Sequence, residues 1–300
     1  MTTNWTGVGT AMVTPFTRTG ELDERAVRRL ARRQIDAGIH FLVPCGTTGE
    51  NPTLNDTERI RIVEILADEA AGQVPILAGA GGYHTQEVIH LADEMRKAGA
   101  AGLLSVTPYY NRPTQEGLFQ HYAAIADSTP LPIVLYNVPS RTGCNIETAT
   151  LVRLAAIPNI VGVKEASGNI VQMCDVCQAV PDDFVVLSGD DAVTLPLMAV
   201  GGRGVISVAS NEVPAEMVQM VEAAARGDFR TARTIHRQIM PLMQVNFVEA
   251  NPVPVKAAMA AMGLLEESYR LPMCGPRPES RERIRTVLKN LDLLKAAVVH

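Results

Sequence analysis

The chain has 300 residues, of which 47% are hydrophobic, and its formal net charge at pH 7 is −5. This hydrophobic content is enough to bury a sizeable core, in one large domain or in two of ordinary size. The acidic balance gives no electrostatic attraction to nucleic acid or to an anionic membrane, so we expect neither as a partner and favour a small-molecule function.

Short apolar runs rich in β-branched residues alternate with longer amphipathic stretches along most of the chain. The runs predict eight strands: Val8–Phe16, Phe41–Cys45, Val74–Ala80, Gly102–Pro108, Pro132–Val138, Ile160–Ala166, Phe184–Asp190 and Gly204–Val208. The stretches between them predict helices, among them Asp23–Ala37, Asn55–Ala71, Thr85–Ala98 and Glu116–Asp127. Strict alternation implies parallel strands joined by right-handed crossovers. Eight such units over about 225 residues therefore predict an α/β fold of the TIM (β/α)8 barrel type rather than an open doubly wound sheet.

The sequence from Glu212 onward has only helical periodicity. It predicts the helices Glu212–Arg226, Asp228–Val245, Val253–Met262 and Glu279–Ala297. We expect the first of them to complete the barrel and the others to form a C-terminal helical extension. The predicted division is a barrel over residues 1–226 and an extension over residues 227–300.

The start of the chain lacks a basic segment followed by an apolar one, and no apolar run approaches the ~20 residues of a membrane span. We therefore expect a cytoplasmic protein. Five cysteines, an odd number, argue against a disulfide framework. Cys174 and Cys177 have no second pair beside them, so we interpret them as two thiols on one helix face and predict no metal site. No nucleotide-binding motif follows the first strand, and we predict no cofactor.

Lys164 lies inside the run Ile160–Ala166, which is typical of a strand covered on both faces. Successive strand side chains alternate faces, so Glu165 points away from it and is not its counter-ion. Burial disfavours the charged form of an amine, and the neutral amine is a nucleophile. We interpret Lys164 as a Schiff-base lysine; the alternative is a lysine that reaches solvent or pairs with a distant carboxylate.

In a TIM barrel the active site lies at the carboxyl ends of the strands. After strand two, Thr47 and Thr48 lie between two glycines, where hydroxyls and backbone N–H groups can hold a small carboxylate. The alternative is a plain turn before the helix that Asn55 caps.

Tyr136 ends the strand next to that of Lys164, at a comparable height, where its phenol can transfer a proton. A packing tyrosine with a solvated tip is the alternative. Arg141 follows in a loop over the same mouth and can hold a carboxylate through two hydrogen bonds, unless it is an ordinary surface arginine.

Four motifs together resemble the N-acetylneuraminate lyase and dihydrodipicolinate synthase superfamily of class I aldolases: Gly46–Glu50, Pro108–Asn111, Tyr136–Pro139 and Gly162–Ala166. The resemblance runs essentially end to end, through Leu187–Asp191, Gly204–Val208 and Asn251–Lys256. The segment Ser140–Gly143 resembles the dihydrodipicolinate synthase branch, because sialic acid lyases usually lack its arginine.

The resemblance implies a mechanism. Lys164 would form a Schiff base with pyruvate, whose carboxylate would rest on the loop of Thr47 and Thr48. Proton transfers would run through Tyr136, Thr47 and Tyr110, with Tyr110 donated by a neighbouring subunit. The partner molecules implied are therefore pyruvate and further copies of the chain, as a dimer or as a tetramer built from two dimers.

The resemblance also implies the second substrate, aspartate 4-semialdehyde, whose carboxylate Arg141 would hold. Gly189 and Ile206 map to positions that line the pyruvate pocket. The product would feed lysine and diaminopimelate biosynthesis. The alternatives are another pyruvate-dependent aldolase, such as a sialic acid or 2-keto-3-deoxy-sugar-acid lyase, against which Arg141 argues, and a silent barrel acting as a binding protein. The silent barrel would require the loss of Lys164, Tyr136 or Thr47, and all three are present.

Many relatives are inhibited by lysine at a site in the dimer interface. The corresponding positions in this chain are Asn51, Pro52, Asp56, Arg59, Tyr83, Glu87 and Tyr109. Of these, Glu87 and Tyr109 match the residues usual in lysine-sensitive enzymes. Arg59 adds a permanent cation, which Asp56 can partly neutralise, and Tyr83 adds bulk. We therefore predict weak or absent inhibition by lysine.

Overall fold

A computed structural model describes residues 5–294. Its strands are β1 Gly7–Ala11, β2 Phe41–Val43, β3 Leu77–Gly79, β4 Gly102–Val106, β5 Ile133–Asn137, β6 Ile160–Glu165, β7 Val185–Ser188 and β8 Gly204–Ser207. The strands are parallel, in the order β2-β1-β8-β7-β6-β5-β4-β3. A parallel bridge between Leu42 and Ile76 joins the two ends of that order. The sheet therefore closes, and the predicted TIM barrel is confirmed.

Helices accompany the strands, and most of them cover the outside of the barrel. They are α1 Glu24–Asp36, α2 Asp56–Ala70, α3 Thr85–Lys97, α4 Gln115–Ser128, α5 Pro139–Thr142, α6 Thr148–Ala155, α7 Ile170–Ala179, α8 Thr194–Ala199 and α9 Pro214–Ala225. Asp23 and Asn55, the first residues of two predicted helices, are N-caps whose side chains accept hydrogen bonds from the first turns of α1 and α2, and the predicted cap at Asn55 is confirmed. Such caps satisfy N–H groups that have no partner within the helix.

Strand β1 is shorter than predicted. Its ladder to β2 ends where the N–H of Met12 donates to the carbonyl of Val43 at 3.0 Å. Pro15 follows, and it has no N–H with which to continue a ladder. Phe16 instead forms an antiparallel bridge with Leu22.

The C-terminal extension consists of α10 Phe229–Val245, α11 Val253–Ala261 and α12 Pro278–Asn290. Residues 295–297 of the predicted last helix lie outside the described residues. Leu242, Val255 and Met259 of the extension belong to the buried cluster that also holds the apolar faces of the barrel helices. The boundary between residues 226 and 227 stays a prediction. Within residues 5–294, no helix is long and apolar enough to cross a membrane.

The inside of the barrel has its own apolar layer. Phe41, Leu77, Leu187 and Ile206 are fully buried there. Trp5 closes the N-terminal end, with its ring edge-on to that of Phe41 at 5.5 Å between centroids. Because the N-terminal end is filled, the interior opens at the carboxyl ends of the strands.

Candidate active site

Lys164 and Tyr136 meet at the open end of the barrel. They are register partners on β6 and β5, so their side chains share one face of the sheet at one height. Lys164 is 5% exposed, and its Nζ lies 4.3 Å from the centroid of the Tyr136 ring. Within residues 5–294, no carboxylate oxygen lies within 4.0 Å of Nζ. The Lys164 amine therefore has the face of an aromatic ring as its neighbour, an arrangement that attracts an ammonium group.

Glu165 points to the other side of the sheet, as the alternation of strand side chains predicts. Its carboxylate accepts hydrogen bonds from Asn137 Nδ2 at 3.0 Å and from the N–H of Ser167 at 2.7 Å. It is fully buried against the helix layer. These contacts fix the end of β6 and so hold Lys164 in place on the opposite face.

A glycine is required beside Lys164. A Cβ added at Gly189 would lie 3.2 Å from Lys164 Cε and 2.5 Å from the Cβ of Ala166. A larger residue would therefore displace the lysine. Ile206 is fully buried in the inner layer, in the same cluster as Tyr136. Gly189 is thus in contact with the lysine, and Ile206 lies in the apolar layer inside the barrel.

The loop after β2 is tightly folded. Cys45 and Glu50, at its two ends, have left-handed φ values of 57° and 55°. Thr47 lines the cavity described below, whereas Thr48 is 2% exposed and its Oγ1 accepts a hydrogen bond from Asn251 Nδ2 at 2.9 Å. The loop thus presents one hydroxyl to the cavity and turns the other toward the extension.

A cavity of about 890 Å³ lies over the carboxyl ends of the strands. Its walls include Thr47, Tyr109, Tyr110, Arg112, Tyr136 and Arg141. The volume is within the range of small-molecule sites and exceeds what pyruvate alone requires. Hydroxyls, phenols and guanidinium groups converge on it, which suits substrates that carry carboxylates.

Two guanidinium groups line this cavity. Arg141 lies in the short helix α5, is exposed, and donates from Nη2 to the carbonyl of Asn251 at 3.4 Å. Arg112 lies over Gly143, where an added Cβ would come within 2.6 Å of its Nε. Neither Arg112 nor Asn251 was predicted as a site residue. Arg112 follows β4, so the rule that active-site residues follow strand ends could have found it, whereas Asn251 lies in the extension and was noted only as part of the segment Asn251–Lys256.

Tyr110 projects from the rim of the cavity. It has a left-handed φ of 65° and is 93% exposed. A non-glycine residue adopts this conformation at a cost, which is typical of residues at functional sites. Little of its side chain therefore packs against the described residues 5–294. Tyr109 beside it is less exposed and lies edge-on to Tyr83, with 5.0 Å between ring centroids.

A second cavity of about 480 Å³ contains all of the predicted effector positions. They are Asn51, Pro52, Asp56, Arg59, Tyr83, Glu87 and Tyr109. Arg59 donates from Nη1 to Asp56 Oδ1 and from Nη2 to the carbonyl of Asn51, both at 3.0 Å. Asn51, Pro52 and Tyr109 line both cavities, so they form the wall between them.

Cys174 and Cys177 are half-buried on α7, and burial raises the pKa of Cys177 to about 11. Among residues 5–294, no three His, Cys, Asp or Glu side chains are grouped so that they could hold a metal ion.

A buried lysine at the end of the sixth strand, beside a phenol and a hydroxyl-bearing loop, defines a barrel of the Schiff-base class. Residues 4–291 match the model of the dihydrodipicolinate synthetase family, and the chain belongs to that family.

Individual relatives agree. The 4-hydroxy-tetrahydrodipicolinate synthase of Koribacter versatilis is 52% identical over 294 residues, covering 98% of each chain. That of Syntrophus aciditrophicus is 51% identical over 288 residues, covering 96% of this chain and 99% of its own. The crystal structure of dihydrodipicolinate synthase from Aquifex aeolicus superimposes with a TM-score of 0.95 at 42% identity, covering 97% of this chain and 100% of the other. The crystal structure of dihydrodipicolinate synthase from Thermotoga maritima superimposes with a TM-score of 0.95 at 45% identity, covering 97% of this chain and 100% of the other.

Proposed function

We propose that this protein condenses pyruvate with L-aspartate 4-semialdehyde through a Schiff base, giving 4-hydroxy-tetrahydrodipicolinate for lysine and diaminopimelate biosynthesis. It is a lyase. The observation that carries the proposal is Lys164 beside Tyr136 at the open end of the barrel. The reaction follows from relatives that are 52% and 51% identical over nearly the whole chain and are named for it.

Lys164 Nζ attacks the keto carbon of pyruvate, and the resulting carbinolamine loses water to form the imine. The protonated imine withdraws electrons, so a proton leaves the pyruvate methyl group and an enamine forms. The enamine carbon adds to the aldehyde carbon of the semialdehyde, which takes up a proton at its oxygen. The amine of the semialdehyde then attacks the imine carbon, closes the ring and releases Lys164.

We assign the proton transfers to Tyr136, Thr47 and Tyr110. Tyr136 and Thr47 line one cavity, which supports a relay between them. Tyr110 is 93% exposed, as a group that completes a neighbouring subunit's site would be in a single chain. We therefore propose a homo-oligomer, either a dimer or a tetramer of two dimers.

The two substrate carboxylates bind at different places in the proposed complex. The loop of Thr47 and Thr48 holds that of pyruvate through the Thr47 hydroxyl and backbone N–H groups, and Gly189 and Ile206 belong to the wall of the pyruvate pocket. Arg141 holds that of the semialdehyde, since a guanidinium can form two charge-assisted hydrogen bonds with a carboxylate. We propose that the second cavity, which the seven effector residues line, is a regulatory pocket that binds lysine weakly.

The alternative of a sialic acid or sugar-acid lyase is not favoured, because the relatives are named as synthases and an arginine at position 141 lines the cavity. We place the reaction in the cytoplasm. All five cysteines are free thiols in the structure, as suits a reducing compartment.

The test is a panel of substrates with the purified full chain. Pyruvate with aspartate 4-semialdehyde is expected to give rapid condensation, whereas sialic acid and 2-keto-3-deoxy sugar acids are expected to be cleaved at least ~10³-fold more slowly in kcat/KM. Faster cleavage of either sugar acid than condensation would overturn the proposed function.

A further inference from the structure

Glu50 ends the loop that carries Thr47 and Thr48. It is 2% exposed, and its N–H donates to the carbonyl of Thr47 at 3.1 Å. Its left-handed backbone, with φ 55°, is one that a glutamate adopts only when its surroundings hold it there. Any group that fixes the Glu50 side chain therefore also fixes the loop.

That group is Lys256 of helix α11. Its Nζ lies 2.5 Å from Glu50 Oε1, and both side chains are fully buried. The other carboxylate oxygen accepts from the N–H of Arg270 at 3.3 Å. The Lys256 ammonium also lies 4.4 Å from the centroid of the Phe16 ring. Both oxygens of Glu50 are thus held by the C-terminal extension.

The extension contacts the loop a second time. Asn251, just before α11, donates from Nδ2 to Thr48 Oγ1 at 2.9 Å. Its carbonyl accepts from Arg141 Nη2 at 3.4 Å. The extension therefore contacts the residues on each side of Gly49 and also reaches the opposite wall of the cavity.

Stability alone gives a weak reason for such a pair. A buried ion pair is often no more stabilising than apolar side chains of the same volume, because both charges lose their hydration. Burial lowers the pKa of Lys256, and the carboxylate of Glu50 acts in the opposite direction. The position of the pair, at the end of the substrate loop, points to a different role.

We propose that Lys256 and Glu50 are positioning residues that hold the loop of Thr47 and Thr48 in the geometry that binds the carboxylate of pyruvate. The C-terminal extension would then contribute to substrate binding. The proposal rests on the function proposed above and assigns no chemical step to Lys256.

The key variant is the double substitution Glu50→Gln/Lys256→Met. Either change alone leaves a buried group without its partner, so each single variant is expected to melt at a lower temperature. The double variant removes both charges and is expected to recover most of the melting temperature. Positioning predicts that it still has a KM for pyruvate raised at least ~10-fold, with kcat and the KM for the semialdehyde changed less than ~3-fold.

The control is Arg281→Met, which removes the pair of Arg281 with Glu267 in the same extension. Arg281 has no hydrogen bond to the substrate loop in the described structure, and its loss is expected to leave the KM for pyruvate unchanged. If the double variant does not fold, the single variant Glu50→Gln replaces it in the test. This variant is expected to raise the KM for pyruvate about threefold.

The measurements are steady-state kinetics and borohydride trapping of the pyruvate adduct at several pyruvate concentrations. If the wild-type chain forms no adduct, the proposed function fails. If the wild type does form one, and the folded variants keep the wild-type pyruvate dependence, the pair is structural only and the positioning role is wrong.

Discussion

Lys164 in the barrel and Lys256 at the junction with the extension are both buried, with exposures of 5% and 0%. Their surroundings differ. Lys256 has the carboxylate of Glu50 at 2.5 Å, whereas Lys164 has an aromatic face and, among residues 5–294, no carboxylate within 4.0 Å. Lys164 also adjoins the large cavity through Tyr136, which lines it.

The difference shows how neighbours decide the use of a buried amine. Lys256 is paired with the buried carboxylate of Glu50 and is not among the residues that line the cavity, so it suits a structural or positioning task. Lys164 lies beside the phenol of Tyr136, which lines the cavity, and there its amine can attack a carbonyl. Burial alone does not distinguish the two lysines; the identity of the contacting group does.

The largest expected effect tests this contrast directly. Lys164→Met should lower kcat by at least ~10³-fold, because the covalent intermediate cannot form. The fold should be retained, since no ion pair is broken. After incubation of the wild type with pyruvate and borohydride, peptide mass mapping should find the adduct on Lys164. An adduct on Lys256 would reverse the assignment of the two lysines.

The second prediction concerns the rim of the cavity. Tyr110→Phe should lower kcat by about 10²-fold, the typical contribution of a positioned proton-transfer group, with no change in melting temperature. A monomer with full activity in sedimentation-coupled assays would contradict the proposed donation between subunits.

A mixture of two variants tests whether Tyr110 acts in the site of a neighbouring subunit. Tyr110→Phe and Lys164→Met chains, each nearly inactive, should regain about a quarter of the wild-type activity when their subunits exchange in a 1:1 mixture. Half of the dimers are then mixed, and each mixed dimer has one complete site. No recovery, with exchange verified by mass spectrometry, would show that Tyr110 acts in its own subunit or not at all.

The third prediction separates the two guanidinium groups of the cavity. Arg141→Ala should raise the KM for aspartate semialdehyde about 10- to 100-fold, since a charge-assisted hydrogen bond contributes about 1.5 to 3 kcal/mol. Pyruvate adduct formation should change little. Arg112→Ala is the comparison, with a smaller expected effect. If both substrates are affected equally by Arg141→Ala, this arginine instead maintains the site through its contact with Asn251.

The buried imidazole of His121 makes the stability of the protein depend on pH. Burial lowers the pKa of His121 from 6.5 to about 4, and its Nδ1 lies 2.9 Å from Thr85 Oγ1. Because its folded pKa is depressed, the unfolded chain binds more protons between these values, so stability is present above pH 6.5 and is lost as the pH falls toward 4.

Denaturant unfolding should measure this loss. The wild type should lose roughly 2 kcal/mol more between pH 7 and pH 5 than His121→Gln does. His90→Gln, at an exposed position, is the matched control and should keep the wild-type pH dependence. Identical pH profiles for the wild type and His121→Gln would mean that His121 titrates normally.

The smallest expected effect is that of lysine. Arg59 keeps a permanent charge in the second cavity, and like charges at ~4 Å repel by about 1 kcal/mol even in bulk water. Asp56 in contact with Arg59 reduces but does not remove this repulsion. Initial rates at saturating substrates should therefore fall little with lysine in the millimolar range. Near-complete inhibition at sub-millimolar lysine would show that the pocket accommodates these side chains.

Much of the site could be predicted because it follows local rules. Thr47, Tyr136 and Lys164 all lie at or just after strand ends, which meet at one edge of a parallel barrel. The predicted bounds of the strands were too long, as at β1, because the N–H of Val13 donates to the Asn211 side chain and leaves the ladder before the apolar pattern ends. Helix α5 was not predicted, since Pro139–Thr142 is too short to show periodicity.

The sequence by itself determined the barrel, its helical extension and the burial of Lys164, because alternation and apolar periodicity report which faces are covered. Which side chains cover those faces was decided by the tertiary structure alone. Asn251 meets Thr48, and Lys256 meets Glu50, across more than two hundred residues of chain. No local pattern records such a pairing, since it depends on how the extension packs over the open end of the barrel. The role of Lys164 could therefore be predicted from its strand and motif, whereas the partner of Lys256 is known only from the folded protein.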